Sequence, residues 1–152
     1  MPTAAVKRTI RRSHPTASPR QLAAYFAAKL AAELGPHDVR RWLQAGAGPI
    51  LLDVRDADGY AAGHIPGAVN IPFEALPQRA RELPQQREIV AYCWNTTCLL
   101  STRAALWLAQ HGFRSRELVG GIAEWRADGF PVVKGRSAGS PRREACAGDC
   151  AS

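Results

Sequence analysis

Residues 88–113 read EIVAYC-WNTTC-LLSTRAALWLAQHGF. Ile89, Val90, Ala91 and Tyr92 make a short apolar, β-prone run, the pattern of a strand buried on both faces. The run ends on Cys93. Leu100, Ala104, Leu108 and His111 then share one stripe of a helical pattern, and Gly112 stands where a helix C-cap glycine belongs. Trp94 to Cys98 form the loop between strand and helix. A cysteine at the C-terminal tip of a strand, facing a loop that opens a helix, is well placed for chemistry. Backbone N–H groups at the helix start and the helix dipole favour negative charge there. A free thiol has a pKa of about 8.5, and lowering it by about two units makes the nucleophilic thiolate the majority form at neutral pH. Core packing is the competing use of a strand-end cysteine, so the rest of the chain decides.

At 152 residues the chain is the size of one domain with a real core. Its formal charge of +7 is unevenly spread. Residues 1–32 hold Lys7, Arg8, Arg11, Arg12, Arg20 and Lys29 and no acid, whereas residues 33–134 balance eleven basic against eleven acidic side chains. The charge therefore belongs mainly to an N-terminal arm. Nucleic-acid binding calls for basic residues arrayed on a folded face with aromatics among them, and that pattern is absent. No stretch approaches the roughly 20 apolar residues of a membrane span. Four cysteines do not make a disulfide scaffold here, because Cys93 and Cys98 share one loop. A reducing compartment, the cytoplasm, is expected.

Residues 1–17 read as a mobile basic arm and 135–152 as a disordered Gly/Ser/Arg tail. Ser18-Pro19-Arg20-Gln21 is a helix start: Ser18 the N-cap, Pro19 the first helical position, Gln21 the partner of a capping box. Leu22, Phe26 and Leu30, with Tyr25 beside them, predict a helix within 18–36 that packs one stripe on the domain. Gly35-Pro36 stops it, and Asp38 caps a second helix with Val39, Trp42 and Leu43 inward. Ile50–Val54 is a buried strand, Asp56–Ala62 a short helix closed by Gly63, and His64–Gly67 a turn. Ala68–Ile71 is a second strand, Phe73–Leu83 a helix stopped by Pro84, and Arg116–Val119 another strand. Gly120-Gly121 turns into a last helix, Ile122–Ala127, with Trp125 inward. Strands alternating with helices predict an α/β fold: a parallel sheet flanked by helices on both faces, with right-handed crossovers. In such sheets the site lies beyond the C-terminal strand ends, where Asp53, Arg55 and Cys93 fall.

Asp53-Val54-Arg55, Gly63-His64-Ile65-Pro66-Gly67-Ala68, Tyr92-Cys93, and Gly120-Gly121 followed by Trp125 occur in the order and approximate spacing of the rhodanese domain. The chain resembles that family over residues 37–134. The resemblance implies a single rhodanese-like α/β domain and a sulfurtransferase in which Cys93 carries sulfane sulfur as a persulfide. Thiosulfate or a persulfide is the implied donor, and the acceptor is thiophilic, cyanide in an assay or a thiol in the cell. It implies no metal and no organic cofactor. The implied partners are a small sulfur-containing substrate or a thiol acceptor protein, with neither nucleic acid nor membrane. Some members serve only as binding modules, which leaves a non-catalytic regulatory module as the alternative.

Two departures stand out. The family loop is short, contains glycine and often carries an arginine. Here Trp94, Asn95, Thr96, Thr97, Cys98 and Leu99 have neither, and the loop is about two residues longer than the usual one. Longer loops in related phosphatases and arsenate reductases cradle a larger oxyanion but close with an arginine; Arg103 lies a turn into the helix, so an oxyanion enzyme ranks lower. Backbone amides of Trp94–Leu99 are expected to cradle the Cys93 thiolate and persulfide. The second departure is Cys98: a packed small residue, or a resolving thiol making a Cys93/Cys98 redox pair. Cys146 and Cys150 are too few ligands for zinc. Asp53 and Arg55 are expected to form a strand-end ion pair that orders the loop, and His64 to be structural. Trp94 either walls the pocket or covers the core. Asn95, Thr96 and Thr97 either donate to an anion or cap the helix.

Overall fold

The computed structural model describes residues 17–46 and 48–136. The expectations for the remainder of the arm and tail, and for Cys146 and Cys150, lie outside the described residues. Five parallel strands form one sheet: β1 (Glu33–Leu34), β2 (Ile50–Asp53), β3 (Val69–Asn70), β4 (Ile89–Tyr92) and β5 (Ser115–Leu118), in the order β1-β5-β4-β2-β3. The helices are α1 (Pro19–Ala32), α2 (Pro36–Gln44), α3 (Ala57–Ala62), α4 (Leu76–Arg79), α5 (Leu100–Gln110) and α6 (Gly121–Ala127). The chain runs outward from β2 to β3, then returns to lay β4 on the other side of β2. The direction of winding reverses between β2 and β4, and a crevice opens at the C-terminal ends of such a pair.

Strand residues alternate between two cores. Ile50, Leu52, Val54, Ile89, Ala91 and Cys93 face the layer that holds Leu76, Ala104 and Leu108. Leu51, Val90, Tyr92 and Leu118 face the layer that holds Val39, Tyr60, Ile122 and Trp125. Cys93 thus continues the α5-side row of β4 and is 0 % exposed. Each fully buried Leu or Ile contributes about 1.5–3 kcal/mol, which makes β2 and β4 the rigid centre on which the site stands.

Several local expectations hold. Ser18 and Gln21 close the capping box on α1. Asp56 caps α3 through the Gly59 N–H, and Gly112 leaves α5 with φ +83°. Trp125 is buried and its indole N–H donates to the Pro131 carbonyl at 2.9 Å.

Others need correction. The apolar stripe of α1 faces solvent: Tyr25, Phe26 and Leu30 are 60, 54 and 78 % exposed, because α1 runs straight into the edge strand β1 and no described element covers it. Gly35, not Asp38, is the N-cap of α2, with Pro36 at its first position. Residues 73–83 do not form one helix but α4 between two 3₁₀ turns, Phe73–Ala75 and Ala80–Glu82. Pro77 lacks the N–H that a continuous ladder through this segment needs. His111 is the C-cap of α5, exposed and stacked on Trp107 with centroids 3.7 Å apart, rather than on the buried stripe. The strand Glu33–Leu34 escapes sequence reading, since two residues, one charged, give no apolar run.

Candidate active site

Cys93 leaves β4 at the reversal point beside the end of β2. Its backbone is tied to α6: the Ile122 N–H donates to the Cys93 carbonyl at 3.0 Å and the Ala123 N–H to the Trp94 carbonyl at 3.0 Å. Gly121, at φ +56°, lets that approach happen, because a Cβ there would lie 2.4 Å from the Cys93 carbonyl oxygen. Gly121→Ala combines an unfavourable left-handed backbone with a main-chain clash. It is expected to cost about 2–3 kcal/mol, read as a shift of the urea midpoint at constant slope. A loss below about 1 kcal/mol would show that the α6–loop contact yields easily.

The loop expectation is partly reversed. The Cys93 thiol points at the Cys98 carbonyl, 3.1 Å away, and at the Ser101 hydroxyl, 3.4 Å away. Burial, then the neighbouring Cys98 thiol, raise its pKa above the ordinary thiol value, with Ser101 pulling the other way. Cys98 behaves oppositely. Burial opposes its ionisation, but the Cys93 thiol and the backbone N–H groups of Trp94 and Leu100 outweigh it and lower its pKa. Of the amides in the loop and at the helix start, that of Ser101 favours charge on Cys93, while those of Trp94 and Leu100 favour it on half-buried Cys98. Burial outweighs the Ser101 contribution at Cys93.

The remaining loop residues bond among themselves. Asn95 Oδ1 accepts from the Thr97 N–H at 3.0 Å and the Thr97 hydroxyl at 2.8 Å. Neither caps α5, whose N-cap Leu99 has no side-chain bond. Thr96 and Leu99 are exposed, as is Arg103 in the first turn of α5.

Asp53 and Arg55 form the expected ion pair, and both side chains are 0 % exposed. Arg55 Nε reaches the two Asp53 oxygens at 2.9 and 3.2 Å, and Nη2 also donates to the Gly63 carbonyl at 2.8 Å. Burial disfavours the guanidinium charge, but the bonds and charge of Asp53 hold it protonated. The guanidinium carries the Trp94 ring 4.6 Å above it, so Trp94 covers the buried pair. His64 is structural: its ring stacks on Tyr60 at 3.6 Å, and Nδ1 lies 2.9 Å from the Tyr60 carbonyl.

Sequence reading missed Ser101, Thr102 and Glu117. Ser101 is buried beneath Cys93 and donates to Glu117 Oε1 at 2.7 Å, while the Thr102 hydroxyl donates to the same carboxylate at 3.0 Å. A polar residue on the inner stripe of α5, one position from an apolar one, was the available signal. No group of three or more metal-ligating side chains occurs among the described residues, and no described helix is long and apolar enough to cross a membrane. An open cleft at the opposite strand ends is lined by Arg87, Arg114 and Arg116, each already bonded within the fold.

The sequence pattern of the rhodanese-like domain matches residues 35–128. Over 85 residues, 55 % of this chain and 78 % of the relative, the chain is 36 % identical to a protein named sulfurtransferase from Allochromatium vinosum. It is 43 % identical over 89 residues to an HTH-type transcriptional regulator of Mycobacterium tuberculosis, spanning 59 % of this chain but only 39 % of that relative. The crystal structure of a protein from Bacillus halodurans superposes with a TM-score of 0.70 at 36 % identity, covering 77 % of this chain and 87 % of that one. With the family pattern matching residues 35–128 of the chain, the chain belongs to the rhodanese-like domain family.

Proposed function

We propose that this protein is a sulfurtransferase in which Cys93 carries sulfane sulfur as a persulfide. The observation that carries the reading is the place of Cys93: the C-terminal tip of a central strand, at the winding reversal, with its carbonyl pinned by α6. The Cys93 sulfur attacks the outer sulfur of thiosulfate or a persulfide donor, and sulfite or a thiolate leaves. The terminal sulfur then passes to a thiophilic acceptor, a small thiol or a protein thiol. Family members named as sulfurtransferases support this reading; the regulator-named relative keeps a binding module as its rival.

Incubation with thiosulfate, or with a persulfide donor, followed by intact mass without reductant is the test. The wild type is expected to gain one sulfur, lose it on adding cyanide, and gain none as Cys93→Ser. Retention by Cys93→Ser with loss by Cys98→Ser would move the carrier to Cys98. No gain from either donor would favour the binding module.

One observation favours a second, dithiol reading. Cys93 and Cys98 interact directly through their side chains, with opposite pKa shifts. A thiolate next to a thiol is the arrangement that thiol–disulfide chemistry uses.

A further inference from the structure

The Cys93 sulfur has two close side contacts, the Cys98 carbonyl at 3.1 Å and the Ser101 hydroxyl at 3.4 Å. The Cys98 carbonyl has only lone pairs to offer. The Ser101 hydroxyl has a single proton, and at 2.7 Å that proton belongs to Glu117 Oε1. With that proton on Glu117, the Ser101 oxygen is free to accept from the Cys93 thiol at 3.4 Å. Burial at this position favours the neutral thiol, yet the attacking species must lose its proton. The same contacts supply the way out. Glu117, in the centre of β5, accepts hydroxyl protons from both Ser101 and Thr102 and is acceptor-only while ionised.

We propose that Ser101 and Glu117 form a proton path from the Cys93 thiol, with Ser101 the group that touches the reacting sulfur and Glu117 the base acting through it. This rests on the reading of Cys93 as the attacking sulfur. As Cys93 Sγ bonds to the donor's outer sulfur, its proton passes to Ser101 Oγ while the proton of Ser101 passes to Glu117 Oε1. The electron pair of the donor's sulfur–sulfur bond leaves with sulfite, or with the thiolate of a persulfide donor. Glu117 then returns the proton to water. No net oxidation occurs, and nothing beyond donor and acceptor is consumed.

Other charged groups bear on Glu117. Glu33 of β1 is its register partner, and Lys29 of α1 and Cys98 of the loop both sense its charge. Lys29 is itself held by Glu33 at 2.6 Å. The pH dependence is therefore read in a Cys98→Ser background, which removes the nearest titrating thiol.

The experiment measures the rate of Cys93 alkylation by iodoacetamide from pH 5.5 to 10.5, with peptide mapping to assign the modified residue. This readout needs no sulfur transfer, so its outcome stands apart from that of the sulfurtransferase reading. With the path intact, the rate is expected to hold a plateau across the neutral part of this range. Glu117→Gln keeps an oxygen to accept from Ser101 but cannot take a proton. Its rate is expected to fall about 10²-fold at pH 7, to rise tenfold per pH unit, and to rejoin the parent about two pH units higher as the thiol ionises directly. Ser101→Ala is expected to give the same sloping profile. Thr102→Ala, which removes a hydroxyl from the same carboxylate without cutting the path, is expected to keep the plateau. A plateau in Glu117→Gln or in Ser101→Ala overturns the proposal, as does a parent profile that slopes throughout. A lost plateau combined with a wild type that accepts no sulfur would leave the path standing and sink the sulfurtransferase reading.

Discussion

Asp53→Ala is expected to destabilise the fold by about 3–5 kcal/mol, lowering the melting temperature by about 10 °C in a chain this size. The guanidinium of Arg55 is 0 % exposed and takes most of its bonds from the two Asp53 oxygens. Remove them and the Gly63 carbonyl at 2.8 Å and the Tyr92 hydroxyl remain, neither of them charged, while Nη1 already has no partner. The penalty is that of an unpaired buried charge, not the net worth of the pair. Joint replacement by apolar residues, Asp53→Leu with Arg55→Met, is therefore expected to recover much of the loss. Urea unfolding of the two variants decides it: a single-variant loss under 1 kcal/mol, or a double variant no better than the single, would show that the charge finds solvent. The effect reaches the site as well, because Trp94 rests on that guanidinium at 4.6 Å.

This pair and the sheet centre were legible in the sequence because they are local. Asp53, Val54 and Arg55 are adjacent, and the run Ile89–Tyr92 declares a strand buried on both faces. Ser18 and Gln21 settle a helix start between themselves. What stayed hidden was non-local. The Ser101–Glu117 bond joins a helix to a strand only after β5 has been laid beside β4 in register Ala91↔Glu117. The periodicity of α1 marks one face of a helix but does not say whether anything covers it, and nothing described does. The loop is the sharpest case. Its composition allows the peptides to present either N–H or C=O to Cys93, and the structure presents the Cys98 carbonyl; burial then raises the Cys93 pKa, while that of Cys98 is lowered.

That order of acidity sets the last expected result, the response to peroxide. The sequence leaves Cys98 as either a packed residue or a resolving thiol, and the second reading has Cys93 as the first sulfur oxidised and Cys98 as its protector. The structure points the other way, since the thiolate is the species that peroxide attacks. Cys98 is the thiol with the lowered pKa and is half-buried, while Cys93 is raised and enclosed. Peroxide oxidises Cys98 to the sulfenic acid, and the Cys93 thiol then displaces water to close the disulfide. Four residues lie between the cysteines, and closing so small a ring turns the Cys93 sulfur from Ser101 toward Cys98, which makes the bond readily reducible. Reversible loss of sulfur loading is expected in the wild type. In Cys93→Ser, Cys98 lacks its partner and is expected to proceed to the sulfinic acid faster than Cys93 does in Cys98→Ser, since the Cys98 pKa is lowered and that of Cys93 is raised by burial. Peptide mapping over a peroxide time course measures both rates at once. Faster sulfinic acid at Cys93 in Cys98→Ser would return the loop amides to Cys93 and reverse the acidity order read from this structure.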